Sequence, residues 1–273
     1  MKRLFKTPAG LIIEVDGRCH QAPAGLTFDT LFAAENPAAL LVPGAPLPAL
    51  DPATLLAPLD HQEVWAAGVT YLRSRTARME ESKVAGGGSF YDRVYEADRP
   101  ELFFKATASR VVAPGGAVRI RADSKWNVPE PELTLALNTR GRIFGYTVGN
   151  DMSSRDIEGE NPLYLPQAKV YAGCAAFGPG LLITDQLPSP NDTIRIAIRR
   201  AGAVAFSGEV ALDQIKRPLP SLAAWLWRDN VFPHGAYLMT GTGIVPPDSF
   251  TLQSGDEISI SLDPVGTLVN TVA

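Results

Sequence analysis

The sequence predicts a sheet-dominated α+β fold, with a small N-terminal domain over residues 1–62 and a larger domain over 63–273. Three observations carry this. Gly (24) and Pro (23) together make 47 of 273 residues, a density that interrupts long helices and favours short strands joined by turns. Seven short apolar runs follow Pro100, each of strand length and bounded by turn residues. Only Leu219–Trp227 carries convincing helical spacing, with Leu222, Trp225 and Leu226 on one face. No fixed-period repeat, low-complexity tract or sustained heptad competes with this reading.

Taken in order, Leu11–Val15 lies in a strand pair, and two short helical stretches follow near Thr27–Glu35 and Ala49–Leu56, among Pro43, Pro46 and Pro48. Nothing in residues 1–62 suggests chemistry. Val64–Val69 reads as a strand, and the polar, arginine-rich stretch after it runs to Gly86-Gly87-Gly88, a connection expected to act as a hinge or lid. The seven runs are Leu102–Phe104, Ala117–Ile120, Leu133–Leu137, Ile143–Val148, Leu181–Ile183, Thr193–Ile198 and Glu257–Leu262. Mixed strands and few helices make the larger domain α+β rather than all-helical.

Charge and cysteine content exclude several functions. With 25 basic and 29 acidic residues the net charge is −4, so no basic field is present to hold nucleic acid or an anionic membrane. No apolar run spans a bilayer and the first residues lack a signal-peptide core. Cys19 and Cys174 are too few for a disulfide scaffold, which makes a reducing cytoplasm the default compartment.

The chemistry concentrates in Val128-Pro129-Glu130-Pro131-Glu132-Leu133. In an extended segment Glu130 and Glu132 project from one face. The prolines hold extended φ without donating a ladder hydrogen bond, which places the stretch at a strand start or edge. Thr139–Arg142 reads as a turn and Ile143–Asp151 as the returning strand. If Arg140-Gly141 is a two-residue turn, facing residues sum to 281, so Glu130 stands opposite Asp151 and Glu132 opposite Gly149. Three carboxylates then crowd within roughly 5–8 Å and repel one another. A cation relieves that repulsion, and an all-oxygen acidic set suits Mg²⁺, Mn²⁺ or Ca²⁺ rather than zinc. A solvated acidic sheet face is the competing reading. His20, His61 and His234 are scattered and form no ligand spacing.

A 2-oxo acid chelates such an ion through its carboxylate and keto oxygens, which stabilises an enolate once a neighbouring C–H is deprotonated. Lys169 is a candidate base: it lies in an apolar setting 18 residues after Asp151, where burial lowers a lysine pKa towards working pH. A solvated surface charge is its bland alternative.

From Val64 onwards the chain resembles the fumarylacetoacetate hydrolase superfamily. The resemblance rests on the Glu130-x-Glu132 pair, Gly149-Asn150-Asp151-Met152-Ser153-Ser154-Arg155, Ala168-Lys169 and Thr240-Gly241-Thr242, in that order. The stretches Arg99–Lys105, Lys125–Glu132 and Ile157–Lys169 resemble its sugar-acid branch, the 2-keto-3-deoxy-pentonate dehydratases. What the resemblance implies is a mixed β-sandwich roll, Mg²⁺ on Glu130, Glu132 and Asp151, and Lys169 in the active site. It also implies Glu101 as an acid/base partner, Lys105, Arg155 and Thr242 as substrate-binding residues, and a homodimer or homotetramer. The superfamily's carbon–carbon hydrolases carry a water-activating His and Glu in the stretch equivalent to Gly68–Ala77, where this chain has Ser74 and Ala77. Neither residue serves that role, so dehydration is favoured over hydrolysis.

The expected activity is therefore a metal-dependent hydro-lyase acting on a small 2-oxo sugar acid, dehydrating a 2-keto-3-deoxy-pentonate to 2,5-dioxopentanoate, with Lys169 taking a C3 proton and protonated Glu101 assisting departure of the C4 hydroxyl. An acylpyruvase-like hydrolase or oxaloacetate-type decarboxylase is the enzymatic rival. A non-catalytic Ca²⁺-stapled β protein is the rival from another class.

Overall fold

The computed structural model describes residues 1–81 and 88–273, so Gly86 and Gly87 of the glycine triplet lie outside the described residues. In chain order the elements are β1 (Lys2–Thr7), β2 (Gly10–Val15), β3 (Arg18–Gln21), α1 (Phe28–Ala33), α2 (Pro37–Leu40), β4 (Glu63–Gly68), α3 (Leu72–Glu81) and α4 (Gly88–Glu96). Next come β5 (Glu101–Ala106), β6 (Val111–Val112), β7 (Ala117–Val118), β8 (Asn127–Leu137), β9 (Ile143–Ser154), α5 (Arg155–Glu160), α6 (Leu165–Lys169) and β10 (Ala175–Ile183). The chain ends with β11 (Thr193–Arg200), β12 (Ala203–Ala211), α7 (Leu219–Trp227), β13 (Ala236–Met239), β14 (Glu257–Leu262) and β15 (Gly266–Val272).

One sheet runs β3-β2-β1-β10-β9-β8-β13-β4-β5, with β6 on β10, and a second runs β12-β11-β14-β15-β7. They face each other across Leu133, Leu135, Val148 and Met152 on one side and Ile194, Ile196, Ile198, Ile258 and Ile260 on the other. Strands β8 and β9 are central, and β8 is buried at every position. Its odd-numbered leucines fill the space between the sheets, each contributing about 1.5–3 kcal/mol by leaving water. The opposite face of the first sheet packs Ala136, Phe144, Phe177 and Tyr237 against Phe28, Leu31 and Phe32 of α1. Residues 1–62 thus continue the same sheet through the β1–β10 pairing.

The register around the acidic pair follows the sequence arithmetic, but the turn does not. Glu130 pairs with Asp151 and Glu132 with Gly149. The connection is five residues, 138–142, closed by Asn138, whose side-chain oxygen accepts from the backbone N–H of Arg140 and of Arg142. A bulge between Ala136 and Leu137 absorbs the difference and restores the sum of 281. The prolines have a clear reason. Leu133 presents its C=O to Thr240, so odd residues of β8 point their backbone polar groups away from β9. The missing N–H groups of Pro129 and Pro131 fall on that side, beyond the Thr134–Leu137 stretch that pairs with β13.

Other expectations need correction. Ala49–Leu56 holds only a 3₁₀ turn, Pro52–Thr54, because prolines deny it a helical hydrogen-bond ladder. The Ala117–Ile120 run contributes only Ala117–Val118 to a strand. Helices α3 to α6 form around the site, short or polar enough to escape a periodicity argument. The histidines are not all scattered: β4 and β13 pair in parallel with Glu63 beside Ala236, and two residues before each strand starts the His61 and His234 rings stand 5.2 Å apart. A parallel pairing across more than 170 residues leaves no local trace.

Candidate active site

Seven buried charged side chains meet where β8, β9, β5, α5 and α6 converge: Lys105, Glu130, Glu132, Asp151, Arg155, Glu158 and Lys169. Even positions of β8 and odd positions of β9 share the face away from the second sheet, which is why Glu130, Glu132, Asp151 and Ser153 look into one space. One carboxylate oxygen each from Glu130, Glu132 and Asp151 lie within 4.8 Å of one another.

Lys169, the last residue of α6, reaches back into this face. Its Nζ donates to Glu130 Oε2 at 2.7 Å, Asp151 Oδ2 at 3.0 Å and Ser153 Oγ at 2.5 Å, with Glu158 Oε1 at 3.7 Å. Arg155 Nη2 holds Glu130 Oε1 at 2.8 Å. Lys105, at a β-bulge in β5, pairs with Asp151 Oδ1 at 2.5 Å and donates to the carbonyls of Met152 and Lys169 at 2.9 and 2.6 Å. Its three contacts brace Asp151 and the end of α6 rather than face open space.

Glu132 is held differently. Its Oε2 accepts the Gly241 N–H at 2.6 Å. Burial pushes this carboxyl well above its ordinary value, the charges of Asp151 and Glu130 push in the same direction, and Lys169 opposes them only in part. Gly241 reaches this position at φ +90°, and a Cβ there would stand 2.1 Å from Thr70 Oγ1. Thr70 Oγ1 in turn donates to the Thr240 carbonyl at 2.6 Å, tying the strand ends of β4 and β13 together. Between them Val69 sits at φ +53°, a conformation that costs a β-branched residue on the order of 1–3 kcal/mol.

Glu101 opens β5, and Phe103, two residues on along the same face, lies with its ring centroid 5.6 Å from Lys169 Nζ. Gly68 faces Glu101, and a Cβ there would come within 2.1 Å of its carboxylate, so only glycine leaves the side chain this place. Glu101 lines a cavity of about 440 Å³ together with Tyr91, Arg93, Arg99, Pro162 and Leu165. Arg217 holds the end of α4 at its rim through the carbonyls of Val94, Ala97 and Asp98.

Thr242 is buried beside Gly241, but its hydroxyl bonds within its own turn, to the Ile244 carbonyl and N–H at 3.2 Å each. Ser74 Oγ donates to the Tyr71 carbonyl at 2.8 Å and accepts from the Tyr71 N–H, a local cap at the start of α3. Three residues escaped the sequence reading. Ser153 lies two positions after Asp151 on its strand, and Glu158 one helical turn after Arg155, so both periodicities were available signals. The third is Tyr71, buried, with no hydrogen-bond partner for its hydroxyl among the described residues. Burial and the Glu132 charge raise its phenol above the ordinary value, so it stays a donor.

A divalent cation fits this donor set. Four carboxylates against three cations leave the cluster at −1 when every group is ionised. The raised Glu132 carboxyl neutralises the cluster by keeping a proton, whereas a dication would bring it to neutrality once Lys169 also gives up its proton. Mg²⁺ sits about 2.0–2.1 Å from its oxygens, so its ligands lie about 3–4 Å apart. The three carboxylate oxygens already lie within 4.8 Å of one another, so small side-chain movements would bring them to that spacing.

Residues 64–273 match the model of the fumarylacetoacetate (FAA) hydrolase C-terminal family. The chain belongs to the fumarylacetoacetate hydrolase family. Within that family it is 48% identical over 216 residues to the probable 2-keto-3-deoxyxylonate dehydratase of Haloferax volcanii, covering 79% of this chain and 73% of that one. It is 44% identical over 218 residues to the 2-dehydro-3-deoxy-D-arabinonate dehydratase of Saccharolobus solfataricus, with the same coverage of each. Among solved structures it is similar, at a TM-score of 0.86 and 34% identity over 100% of this chain and 98% of the other, to a 2-keto-3-deoxy-D-arabinonate dehydratase complexed with magnesium and 2,5-dioxopentanoate. The sheet-dominated α+β class read from the sequence agrees with this family's fold.

Proposed function

We propose that this chain is a divalent-metal-dependent hydro-lyase that removes water from a 2-keto-3-deoxy-pentonate to give 2,5-dioxopentanoate. The observation that carries the proposal is Lys169 Nζ seated on Glu130 and Asp151 in a buried cluster whose third carboxyl, Glu132, resists ionisation. The Haloferax and Saccharolobus relatives, named for this reaction, support it.

Glu130, Glu132 and Asp151 hold the ion, Mg²⁺ in the first instance, with Mn²⁺ as a substitute. When bound, the ion supplies a Lewis acid that polarises the 2-keto group of the substrate. Lys169, left as the neutral amine when a dication takes over the charge of Glu130 and Asp151, takes the proton from C3. Glu101, as the acid, delivers a proton to the C4 hydroxyl, which leaves as water. Proton shifts then convert the C5 alcohol to an aldehyde, so the products are one dioxo acid and one water. Lys105 and Arg155 act as positioning residues for Asp151 and Glu130, with Arg155 able to turn towards the substrate carboxylate. The Tyr71 hydroxyl is a spare donor for a substrate oxygen.

Ser74 is committed to a helix cap and Ala77 has no polar group, which argues against a hydrolase that activates water at this stretch. Residues 63–273 are assigned the catalytic role and 1–62 a small domain that extends the sheet. Among the described residues no helix is long and apolar enough to cross a membrane. A cytoplasmic homodimer or homotetramer completes the proposal.

The test is a panel of 2-keto-3-deoxy sugar acids with Mg²⁺, read by identifying products. A dioxo acid carrying an aldehyde supports dehydration. Pyruvate or another two-fragment mixture favours the carbon–carbon cleavage rival and refutes it.

A further inference from the structure

At the far end of the same strands lies a second cluster of ligating groups. Asp29, in the first turn of α1, places Oδ2 2.5 Å from His61 Nδ1 and 3.4 Å from His234 Nδ1. One ligating atom from each residue falls within 4.8 Å of the others. The two imidazoles meet because β4 and β13 run in parallel at an offset that brings equivalent positions together. They sit immediately before those strands, whereas Gly241, which touches Glu132, lies after β13. Strand β13, four residues and roughly 10 Å long at strand rise, lies between them, so this cluster is separate from the carboxylate triad.

The surroundings hold the three groups in place. Gln62, wholly buried, donates to Asp29 Oδ1 at 2.9 Å and to the His234 carbonyl at 3.1 Å, and its own Oε1 accepts the Asp60 N–H at 2.7 Å. Asp60 Oδ2 takes the Phe28 and Asp29 N–H groups at 2.7 and 3.3 Å, fixing the start of α1. Burial works against the Asp29 charge, but hydrogen bonds from His61 and Gln62 outweigh it and hold the carboxyl below its usual range. Thus both imidazoles stand against the Asp29 carboxylate, and that carboxylate is fixed in turn by a buried amide, an arrangement that orients metal ligands elsewhere.

We propose that Asp29, His61 and His234 form a second metal site, for a borderline divalent ion of the Zn²⁺, Co²⁺ or Ni²⁺ class, which clamps α1 to the β4–β13 pair. Two nitrogens and one carboxylate oxygen suit these ions over Mg²⁺. The side chains of His61 and His234 are 71% and 50% exposed, so the ion enters from solvent and keeps water in its remaining position. Its role is structural, joining residues 1–62 to the sheet that carries the triad.

The test uses untagged protein saturated with Mg²⁺, titrated with Co²⁺ by visible absorption and with Zn²⁺ by calorimetry. The expected result is one further equivalent bound, with a raised melting temperature in Zn²⁺. His61→Gln and His234→Gln each weaken that binding by at least about 100-fold, the upper end of what losing only an outer-shell partner costs. Both variants leave turnover unchanged, and a Glu132→Gln protein still takes up the equivalent. No uptake by the Mg²⁺-saturated protein, uptake unaffected by both histidine variants, or its loss in Glu132→Gln overturns the proposal.

Discussion

Replacing Lys169 with methionine removes one cation from the buried cluster and nothing else of comparable volume. Glu130 Oε2, Asp151 Oδ2 and Ser153 Oγ lose a donor at 2.7, 3.0 and 2.5 Å, and the cluster falls from −1 to −2 with every group ionised. Removing one partner of a buried ion pair costs about 3–5 kcal/mol. An unfolding entropy of about 2.1 cal/mol/K per residue gives about 0.57 kcal/mol/K for this chain, so the metal-free variant should melt about 5–9 °C below the metal-free wild type. A bound dication brings the variant's cluster to neutrality, so excess Mg²⁺ should close most of that gap. Turnover does not return with it, because no base remains at C3, and kcat should stay at least about 10³-fold down at any Mg²⁺ concentration. Paired thermal scans with Mg²⁺ and with chelator, alongside initial rates, read both effects. A variant with near-normal kcat refutes the base assignment. A melting deficit of equal size with and without Mg²⁺ refutes the charge argument.

Three further predictions use other parts of the site. Because the folded-state carboxyl of Glu132 is raised above its unfolded value, the metal-free fold holds its proton more tightly. Its contribution to stability is complete below the unfolded pKa and declines as pH rises through the folded one. The metal-free protein should therefore lose melting temperature as pH rises above about 4.5, Mg²⁺ should bind more tightly in the same direction with proton release, and Glu132→Gln should flatten the stability trend and abolish the ion, all by calorimetry across buffers. Arg155→Met, which strips the 2.8 Å contact from Glu130, should weaken Mg²⁺ about 10–100-fold in a direct titration, as loss of an outer-shell partner does. Gly241→Ala must move a backbone at φ +90° away from Thr70 Oγ1 and Ala67 O, and so withdraws the N–H from Glu132. Both melting temperature and kcat should fall, whereas Thr242→Val, which exchanges a hydroxyl bonded within its own turn for a methyl, should cost about 1 kcal/mol by denaturant titration.

Much of the site was legible because its information is local. Alternation along β8 and β9 and one intervening turn set Glu130 opposite Asp151, and an error in the turn was cancelled by a bulge. Helix α7 and strand β14 were read to the residue because each carries a clean apolar period between turn signals. What stayed hidden depends on pairings distant in the chain. Strand β13 enters between β8 and β4 from about a hundred residues away, bringing the Gly241 N–H to Glu132 and His234 to His61. Lys105 illustrates the same limit: its strand was expected, but its commitment to Asp151 and two carbonyls follows from a bulge and from α6 packing on β5. The resemblance had suggested a substrate-binding role for it, whereas its contacts are those of a brace.

The most direct test is turnover by chelator-stripped enzyme supplied with a 2-keto-3-deoxy-pentonate, before and after Mg²⁺ is restored. The account predicts negligible 2,5-dioxopentanoate without the ion and full production with it, with no such recovery in Glu132→Gln. Undiminished turnover in the stripped enzyme would contradict it.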